Sequence, residues 1–273
     1  MALALGGACA EVVEEVAELP VEVADIHGRV VRQPIKLTIW RDDQRRVSPF
    51  LVLNHGRAVT AGERQKLGRA KYSDNSKYFV ALGFAVFVPT RVGYGVTGGE
   101  DVEDSGSCMG KNYAPVYRAA AQQSLRVIEY AKTLPYIDAN RGIIVGQSFG
   151  GMTSITLAAM NVSGVLGAIN FAGGGGGNPQ TRPANPCRPD LLKELFAAYG
   201  AVSRTPTLWL YSENDQFMGI EYPRAWFNGF VEKGGNGTFI RLPPLVPDGH
   251  PSFTRNPAAW RPAVEAFLKS VGF

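Results

Sequence analysis

A serine between closely spaced glycines is the residue of this sequence best placed to do chemistry. Ser148 is the central residue of Gly-Gln-Ser-Phe-Gly, residues 146–150, and an apolar run ending at Val145 precedes it. A segment rich in Ala, Thr and Leu follows, which predicts a sharp turn from a strand into a helix. Gly146 and Gly150 would let the two elements approach closely, so the hydroxyl would be exposed at the end of a sheet. The alternative is an ordinary turn whose serine caps the helix.

A serine hydroxyl is a weak nucleophile unless a base lies within hydrogen-bonding reach and an acid orients that base. The sequence has three histidines, at positions 27, 55 and 250. His250 lies in a loop after the last predicted strand and is the predicted base. His27 lies in an early hairpin and is predicted to be a surface residue. His55 ends an early strand, where it is better placed to shape the oxyanion and substrate region than to act as the base.

Three acidic residues are candidates to orient the imidazole: Asp215, Glu213 and Asp248. Asp215 comes just after a predicted strand, at the carboxyl edge of the sheet, where ligands gather in open α/β sheets. In enzymes whose serine nucleophile lies at such a strand-to-helix turn, the acid follows the serine in the chain and the histidine comes last. The order here is the same: Ser148, Asp215, His250. Asp215 is therefore the predicted acid, whereas Glu213 is expected to point elsewhere and Asp248 to shape the loop.

Ester or amide cleavage by a serine also needs two N–H donors for the developing oxyanion. The backbone N–H of Phe149, the residue after the serine, is one predicted donor. The other is predicted to be the backbone N–H of Arg57, because it follows the strand that ends in His55 and Gly56.

The elements that must position these residues follow from apolar patterning. Alternating apolar residues over 21–31 and 34–41 predict an antiparallel hairpin. Continuous apolar runs predict six further strands, at 49–54, 85–89, 143–147, 165–171, 207–211 and 238–242. Helices are predicted between these strands, at 62–82, 114–134, 149–160, 189–199, 223–233 and 257–271. The alternation predicts an α/β fold with a mainly parallel eight-stranded sheet and helices on both faces.

The overall composition bounds the architecture and the partners. The chain has 273 residues, of which 45% are hydrophobic and 19% charged, as expected for one large domain. The domain is predicted over residues 21–273, after an N-terminal tail at 1–20. Net charge is +4, but the charges are scattered, so no nucleic-acid partner is predicted. No apolar run approaches the roughly 18 residues of a membrane span.

Residues 1–10 are small and apolar and resemble the end of a secretory signal peptide, with a disordered tail as the alternative. Removal at an A-x-A site would remove Cys9 and leave Cys108 and Cys187, in loops predicted at the same end of the sheet. Export would permit a disulfide between them. A periplasmic or secreted location is therefore predicted; two free thiols in a cytoplasmic protein are the alternative.

Several motifs together resemble the α/β-hydrolase superfamily: residues 146–150, Asp215 within Ser-Glu-Asn-Asp, His250 within Asp-Gly-His, and the His-Gly pair at 55–56. The compact chain is similar to dienelactone-hydrolase-like esterases, and Arg-Val-Gly-Tyr-Gly at 91–95 resembles prolyl-oligopeptidase-type hydrolase domains. The resemblance covers nearly the whole chain after about residue 21. It implies the α/β-hydrolase fold with a minimal cap. Dienelactone hydrolases proper use a cysteine nucleophile, so a serine here argues against a true dienelactone substrate.

These observations predict a serine esterase that cleaves a small-molecule carboxylic ester through an acyl-enzyme, without a metal or organic cofactor. The alternatives are a peptidase or amidase with the same three residues, and a non-catalytic binding protein on the same scaffold. The oligomeric state is not predicted. A glycine run at 173–177 is interpreted as a mobile loop beside the pocket or a flexible surface loop. Four side chains are predicted to bind substrate: His55, Tyr94, Phe217 and Trp226.

Overall fold

The computed structural model of the protein describes residues 11–273, and these residues form a single eight-stranded sheet with helices on both faces. The strands are β1 (Val12–Ala24), β2 (Val30–Asp42), β3 (Ser48–Asn54), β4 (Ala85–Thr90), β5 (Ile137–Gln147), β6 (Val165–Phe171), β7 (Thr207–Ser212) and β8 (Gly237–Leu242). The helices are α1 (Ala61–Gln65), α2 (Ser73–Ala81), α3 (Tyr113–Thr133), α4 (Phe149–Ala159), α5 (Pro189–Val202), α6 (Glu221–Glu232), α7 (Ser252–Arg255) and α8 (Pro257–Ser270).

The strand order across the sheet is β1-β2-β4-β3-β5-β6-β7-β8. The neighbours β1, β2 and β4 pair antiparallel, and every pairing from β4 through β3 to β8 is parallel. This topology confirms the predicted fold class. Because parallel strands all end at one edge, the loops after β3, β5, β6, β7 and β8 meet at the same end of the sheet.

The central strands are buried on both faces, which explains their continuous apolar sequences. In β3, alternate side chains point to opposite faces, so Phe50 and Val52 pack in one hydrophobic cluster and Leu51 and Leu53 in another. All four side chains are fully buried. Helix α3 contributes to the first cluster, and α2 and α8 to the second. The sheet is therefore a rigid platform for the loops at its carboxyl edge.

The predicted beginning of the domain at residue 21 is wrong, because β1 already begins at Val12. It pairs with β2 along its whole length, from Val12 opposite Asp42 to Ala24 opposite Val30. The turn between the two strands is held by Asp25, whose Oδ1 accepts the N–H groups of His27 and Arg29 at 2.8 and 2.9 Å. The signal-peptide prediction and Cys9 lie outside the described residues.

The helix predicted over 62–82 is two helices. Thr60 and Glu63 form a reciprocal capping box that begins α1, which is only one turn long. Gly68 and Tyr72 then have φ angles of 68° and 44°. A right-handed helix cannot continue through left-handed residues, so α2 begins only at Ser73.

No helix within residues 11–273 combines the length and the apolar character needed to cross a membrane.

Candidate functional site

Ser148 occupies the turn between β5 and α4 with φ 57° and ψ −123°. This conformation is strained for a residue with a side chain and is the geometry of a nucleophile elbow. The serine side chain makes no capping hydrogen bond to α4, so the structure does not support the alternative of a simple helix cap. Ser148 instead borders an open cavity.

At this turn the backbones of β5, α4 and β3 lie so close together that no side chain fits between them. A Cβ on Gly146 would lie 2.0 Å from the carbonyl oxygen of Gly150, and a Cβ on Gly150 would lie 2.1 Å from that of Asn54. The buried Asn54 side chain bonds to the hydroxyls of Ser124 and Ser154, at 2.5 and 3.3 Å. This polar connection between β3, α3 and α4 was not predicted, because sequence spacing gives no sign of it.

The predicted base and acid lie together, and the Gln147 side chain of the elbow donates to the backbone carbonyl of His250 at 3.4 Å. The Nδ1 atom of His250 is 2.9 Å from Oδ2 and 3.1 Å from Oδ1 of Asp215. Both residues are buried, with 7% and 1% of their surface exposed. Asp215 Oδ1 also accepts the backbone N–H groups of Phe217 and Met218, at 2.8 and 2.9 Å, which orient the carboxylate. The ring of Phe217 stacks on the imidazole with 4.2 Å between centroids.

The environment of His250 suits a base. Burial by itself disfavours the imidazolium, but the Asp215 carboxylate outweighs it and raises the pKa of His250 above its ordinary value. Because the carboxylate binds the Nδ1 proton, Nε2 of the neutral ring is left as the acceptor. Within residues 11–273, Ser148 makes no hydrogen bond to His250; in ligand-free enzymes such bonds are often long and shorten when substrate binds.

The other two acid candidates lie as predicted. Glu213 forms an exposed ion pair with Arg241 at 2.9 Å. Asp248 Oδ1 accepts the backbone N–H groups of Gln216 and His250, each at 2.9 Å, so it shapes the loop that carries the histidine.

The two predicted oxyanion donors flank Ser148. Phe149 is the first residue of α4, where backbone N–H groups have no partner in the helix. The loop that carries Arg57 passes directly over the elbow, since a Cβ on Gly56 would lie 3.2 Å from that of Ser148. Within residues 11–273, neither the Phe149 nor the Arg57 backbone N–H donates a hydrogen bond, so both are available to an oxyanion.

The Arg57 side chain has a separate role. Its guanidinium forms two parallel hydrogen bonds to Asp101, at 2.6 and 2.7 Å. Arg64 reaches the same carboxylate at 2.7 Å. These contacts connect the loop after β3 to the long loop 91–112.

Three of the four side chains predicted to bind substrate lie behind the cavity wall. Both ring nitrogens of His55 are occupied, Nδ1 by the Gly56 carbonyl at 2.7 Å and Nε2 by the Arg91 N–H at 3.2 Å. Burial and the neighbouring Arg91 hold the pKa of His55 well below its ordinary value, so the ring is neutral and structural. Tyr94 donates to Glu103 at 2.5 Å, and Trp226 donates to a backbone carbonyl in a buried position. Only Phe217 of the four borders the cavity.

A fully buried ion pair anchors the long loop. Arg91 Nε lies 2.6 Å from Glu103 Oε1, and neither side chain is exposed. Arg91 also donates to the carbonyl of His55 at 2.9 Å, which ties the loop to the end of β3. The acidic run at 100–104 was visible in the sequence, but its pairing with Arg91 was not predicted.

The cavity at Ser148 has a volume of about 670 Å³. The glycine run 173–177 forms part of its wall and is closely packed. A Cβ on Gly175 would lie 2.3 Å from the hydroxyl of Tyr117, and one on Gly176 would lie 2.2 Å from that of Tyr113. The run therefore lies beside the pocket, as the first of the two predictions had it, and its glycines are needed for contact with two buried tyrosines.

Cys108 and Cys187 are joined by a disulfide, with 5.1 Å between their Cα atoms. It connects loop 91–112 to loop 172–188, and both cysteines border the cavity. The guanidinium of Arg182 contacts both sulfur atoms. The predicted minimal cap is therefore two cross-linked loops. Across residues 11–273, no three His, Cys, Asp or Glu side chains are grouped so that they could hold a metal ion.

Replacement of Glu103 should destabilise the protein. In Glu103→Gln, the buried Arg91 loses its counter-ion, and breaking a buried pair costs about 3–5 kcal/mol. Denaturant unfolding measures the loss. Glu100→Gln is the matched control, because Glu100 pairs with Arg29 on the surface and its removal should change the unfolding free energy little. Equal effects of the two substitutions would contradict a structural role for the Arg91–Glu103 pair.

Reduction of the disulfide should lower stability by about 2–4 kcal/mol, because the cross-link restricts the unfolded chain. Unfolding with and without dithiothreitol measures the effect. The double variant Cys108→Ser, Cys187→Ser should show the same loss and no further response to the reductant. If the reductant still lowered the stability of the double variant, the loss of stability would not come from the Cys108–Cys187 disulfide.

Comparison with known proteins places the chain in a family. Residues 37–269 match the sequence model of the alpha/beta hydrolase family. No curated protein matches the chain.

Solved structures share the fold at low sequence identity. Esterase Pf2001 of Pyrococcus furiosus has a TM-score of 0.60 at 12% identity, covering 93% of this chain and 90% of that one. The dienelactone hydrolase-like promiscuous phosphotriesterase P91 from metagenomic libraries has a TM-score of 0.58 at 13% identity, covering 94% and 98%. An acylaminoacyl peptidase of Pyrococcus horikoshii has a TM-score of 0.57 at 14% identity, covering 93% of this chain but only 41% of the peptidase.

The family match spans most of the described residues, and the sheet order, the strained serine turn and the parallel strands agree with it. The protein belongs to the alpha/beta hydrolase family, with a dienelactone-hydrolase-like fold.

Proposed function

We propose that the protein is a serine hydrolase that cleaves carboxylic esters through an acyl-enzyme. The observation that carries the proposal is the strained Ser148 at the border of a cavity, with a buried His250–Asp215 pair next to the elbow, where the Gln147 side chain donates to the His250 carbonyl at 3.4 Å. Ser148 does not cap the helix, so its strained backbone does not serve to stabilise α4. The same strain is what exposes the nucleophile in a nucleophile elbow.

The reaction follows from the positions of these groups. Ser148 Oγ attacks the acyl carbonyl carbon while Nε2 of His250 accepts its proton. The N–H groups of Phe149 and Arg57 bind the oxyanion. The C–O bond to the alcohol then breaks, and His250 returns the proton to the leaving alkoxide. Water then attacks the acyl-enzyme while His250 accepts its proton, and the bond to Ser148 Oγ breaks as His250 returns the proton to it, which releases the acid.

Asp215 holds the imidazole in one orientation and stabilises the imidazolium that forms in each half of the reaction. Two backbone N–H groups and the His250 ring occupy the carboxylate, so it is held rigidly. The cavity, of about 670 Å³, has the size of sites that enclose small molecules, which favours a small ester over a long peptide.

Labelling by a fluorophosphonate tests the nucleophile. The protein should react at Ser148 and hydrolyse short 4-nitrophenyl esters, and Ser148→Ala should lose the label and about 10⁶-fold in kcat. Mass spectrometry locates the label, and absorbance follows hydrolysis. A folded protein that is neither labelled nor active on the esters would contradict the hydrolase proposal. Faster cleavage of amino-acid anilides than of esters would reassign the site to a peptidase or amidase.

The pH profile tests the His250–Asp215 pair. His250 must be neutral to act as the base, and its pKa is raised, so kcat/KM should fall on the acidic side with a midpoint above the ordinary value of 6.5. Asp215→Asn removes the charge that raises the pKa. It should therefore shift this midpoint to lower pH and reduce kcat by about 10⁴-fold.

Glu213→Gln is the control for this substitution, because Glu213 is exposed and two residues from Asp215. It should leave the profile unchanged. If Asp215→Asn retained the midpoint of the unsubstituted protein, Asp215 would not be the orienting acid.

A further inference from the structure

Four basic side chains line the cavity at Ser148: Arg57, Arg64, Lys111 and Arg182. The first two share one carboxylate, that of Asp101. Among residues 11–273, the other two bond only to neutral partners. Lys111 Nζ bonds to the Ser105 hydroxyl at 3.1 Å and to a backbone carbonyl at 2.5 Å.

Arg182 is also without a carboxylate within residues 11–273. Its guanidinium contacts the two sulfur atoms of the disulfide and, at 3.4 Å, the carbonyl of Gly176. Asp104 borders the same cavity but is exposed and forms no ion pair with either base in this part of the chain. The cavity wall therefore carries an excess of positive charge.

The titration of Lys111 agrees with this excess. Burial lowers the pKa of its ammonium group, Asp104 partly opposes that effect, and the charges of Arg57 and Arg182 lower the pKa further. Within residues 11–273, Lys111 and Arg182 thus border one cavity without an ion pair to a carboxylate, an arrangement that a bound anion would stabilise.

A buried, unpaired hydroxyl belongs to another residue that borders the same cavity. Tyr117 borders the cavity with 0% exposure, and its hydroxyl has no hydrogen-bond partner within residues 11–273. The ring packs between Tyr113 and Phe149, with centroids 6.1 and 4.4 Å away. Buried hydroxyls are normally paired, so an unpaired one beside a cavity marks a place for a ligand acceptor atom.

We propose that Lys111, Arg182 and Tyr117 form a subsite for a carboxylate of the substrate. The preferred substrate is then an ester that keeps a second, free carboxylate, such as a monoester of a dicarboxylic acid. The guanidinium and ammonium neutralise the charge, and the tyrosine hydroxyl donates to a carboxylate oxygen. The aromatic rings beside Ser148 contact the apolar part of the acid. This assignment rests on the ester hydrolysis proposed above.

The disulfide positions this subsite. Lys111 and Cys108 lie on loop 91–112, and Arg182 and Cys187 lie on loop 172–188, so the cross-link joins the two loops that carry the cations. Contact of the Arg182 guanidinium with both sulfur atoms further restricts its orientation.

A matched ester panel tests the preference. The probes are monomethyl esters of straight-chain dicarboxylic acids from succinate to sebacate, each paired with the neutral ester whose free carboxylate is replaced by a carboxamide. Acid release is followed by pH-stat. At the chain length that fits best, kcat/KM should be about tenfold to a hundredfold higher for the carboxylate ester, as charged hydrogen bonds imply. The preference should fall as salt screens the charges.

Substitutions locate the subsite. Lys111→Met and Arg182→Gln should each bring the ratio of kcat/KM for carboxylate and carboxamide esters toward one. Tyr117→Phe keeps the ring and should also lower the ratio. Arg118→Gln is the control, because Arg118 follows Tyr117 on α3, is exposed and does not border the cavity. It should leave both rates unchanged.

The failure of this proposal is distinguishable from failure of the proposed function. A protein that is labelled at Ser148 and cleaves both members of each pair equally would overturn the carboxylate subsite while leaving the esterase intact. A folded protein that is not labelled would overturn both.

If the Lys111 or Arg182 variants do not fold, inhibition of labelling replaces them. Free dicarboxylates should protect Ser148 of the unsubstituted protein from the fluorophosphonate more strongly than the corresponding diamides, and salt should weaken that protection. Equal protection by the two compounds would overturn the proposal.

Discussion

The site depends on one close approach, where the end of β5, the start of α4 and the end of β3 meet without side chains between them. Gly146 and Gly150 lie where a Cβ would overlap backbone atoms, so only glycines allow the contact. This approach forces Ser148 into a strained conformation with φ 57°, at the border of the cavity. Because the surrounding strands are fully buried, the sheet can hold that strain.

The other groups lie at the same edge of the sheet as the serine. Asp215 follows β7 and His250 follows β8, so neighbouring parallel strands place them side by side. Two backbone N–H groups fix the carboxylate, and Asp248 fixes the loop of the histidine. The geometry of the candidate triad is thus supported mainly by backbone groups at strand ends, which are the most rigid positions that the fold offers.

The cavity walls, unlike the candidate triad, are stabilised mainly by ion pairs and by the disulfide. Loop 91–112 has no regular secondary structure, and it is anchored by the buried Arg91–Glu103 pair, by the Arg57–Asp101 contact and by the disulfide. In the described part of the chain, Lys111 and Arg182 at the cavity form no ion pair with a carboxylate. The residues proposed to do the chemistry therefore lie at strand ends of the sheet, and those proposed to select the substrate lie on the cross-linked loops, in line with the usual division between scaffold and loops.

The sequence by itself determined the parallel α/β sheet, the elbow at Ser148 and the order of Ser148, Asp215 and His250, because glycine spacing and strand-end positions are local signals. It placed the domain start at residue 21 and joined two helices into one, because a long edge strand rich in glutamate and a left-handed tyrosine have no clear local signature. Only the tertiary structure decided which side chains border the cavity. His55 and Tyr94 have the residue types of a binding site, but buried hydrogen bonds with Arg91 and Glu103 hold them in the wall, and such pairings depend on contacts between residues far apart in the chain.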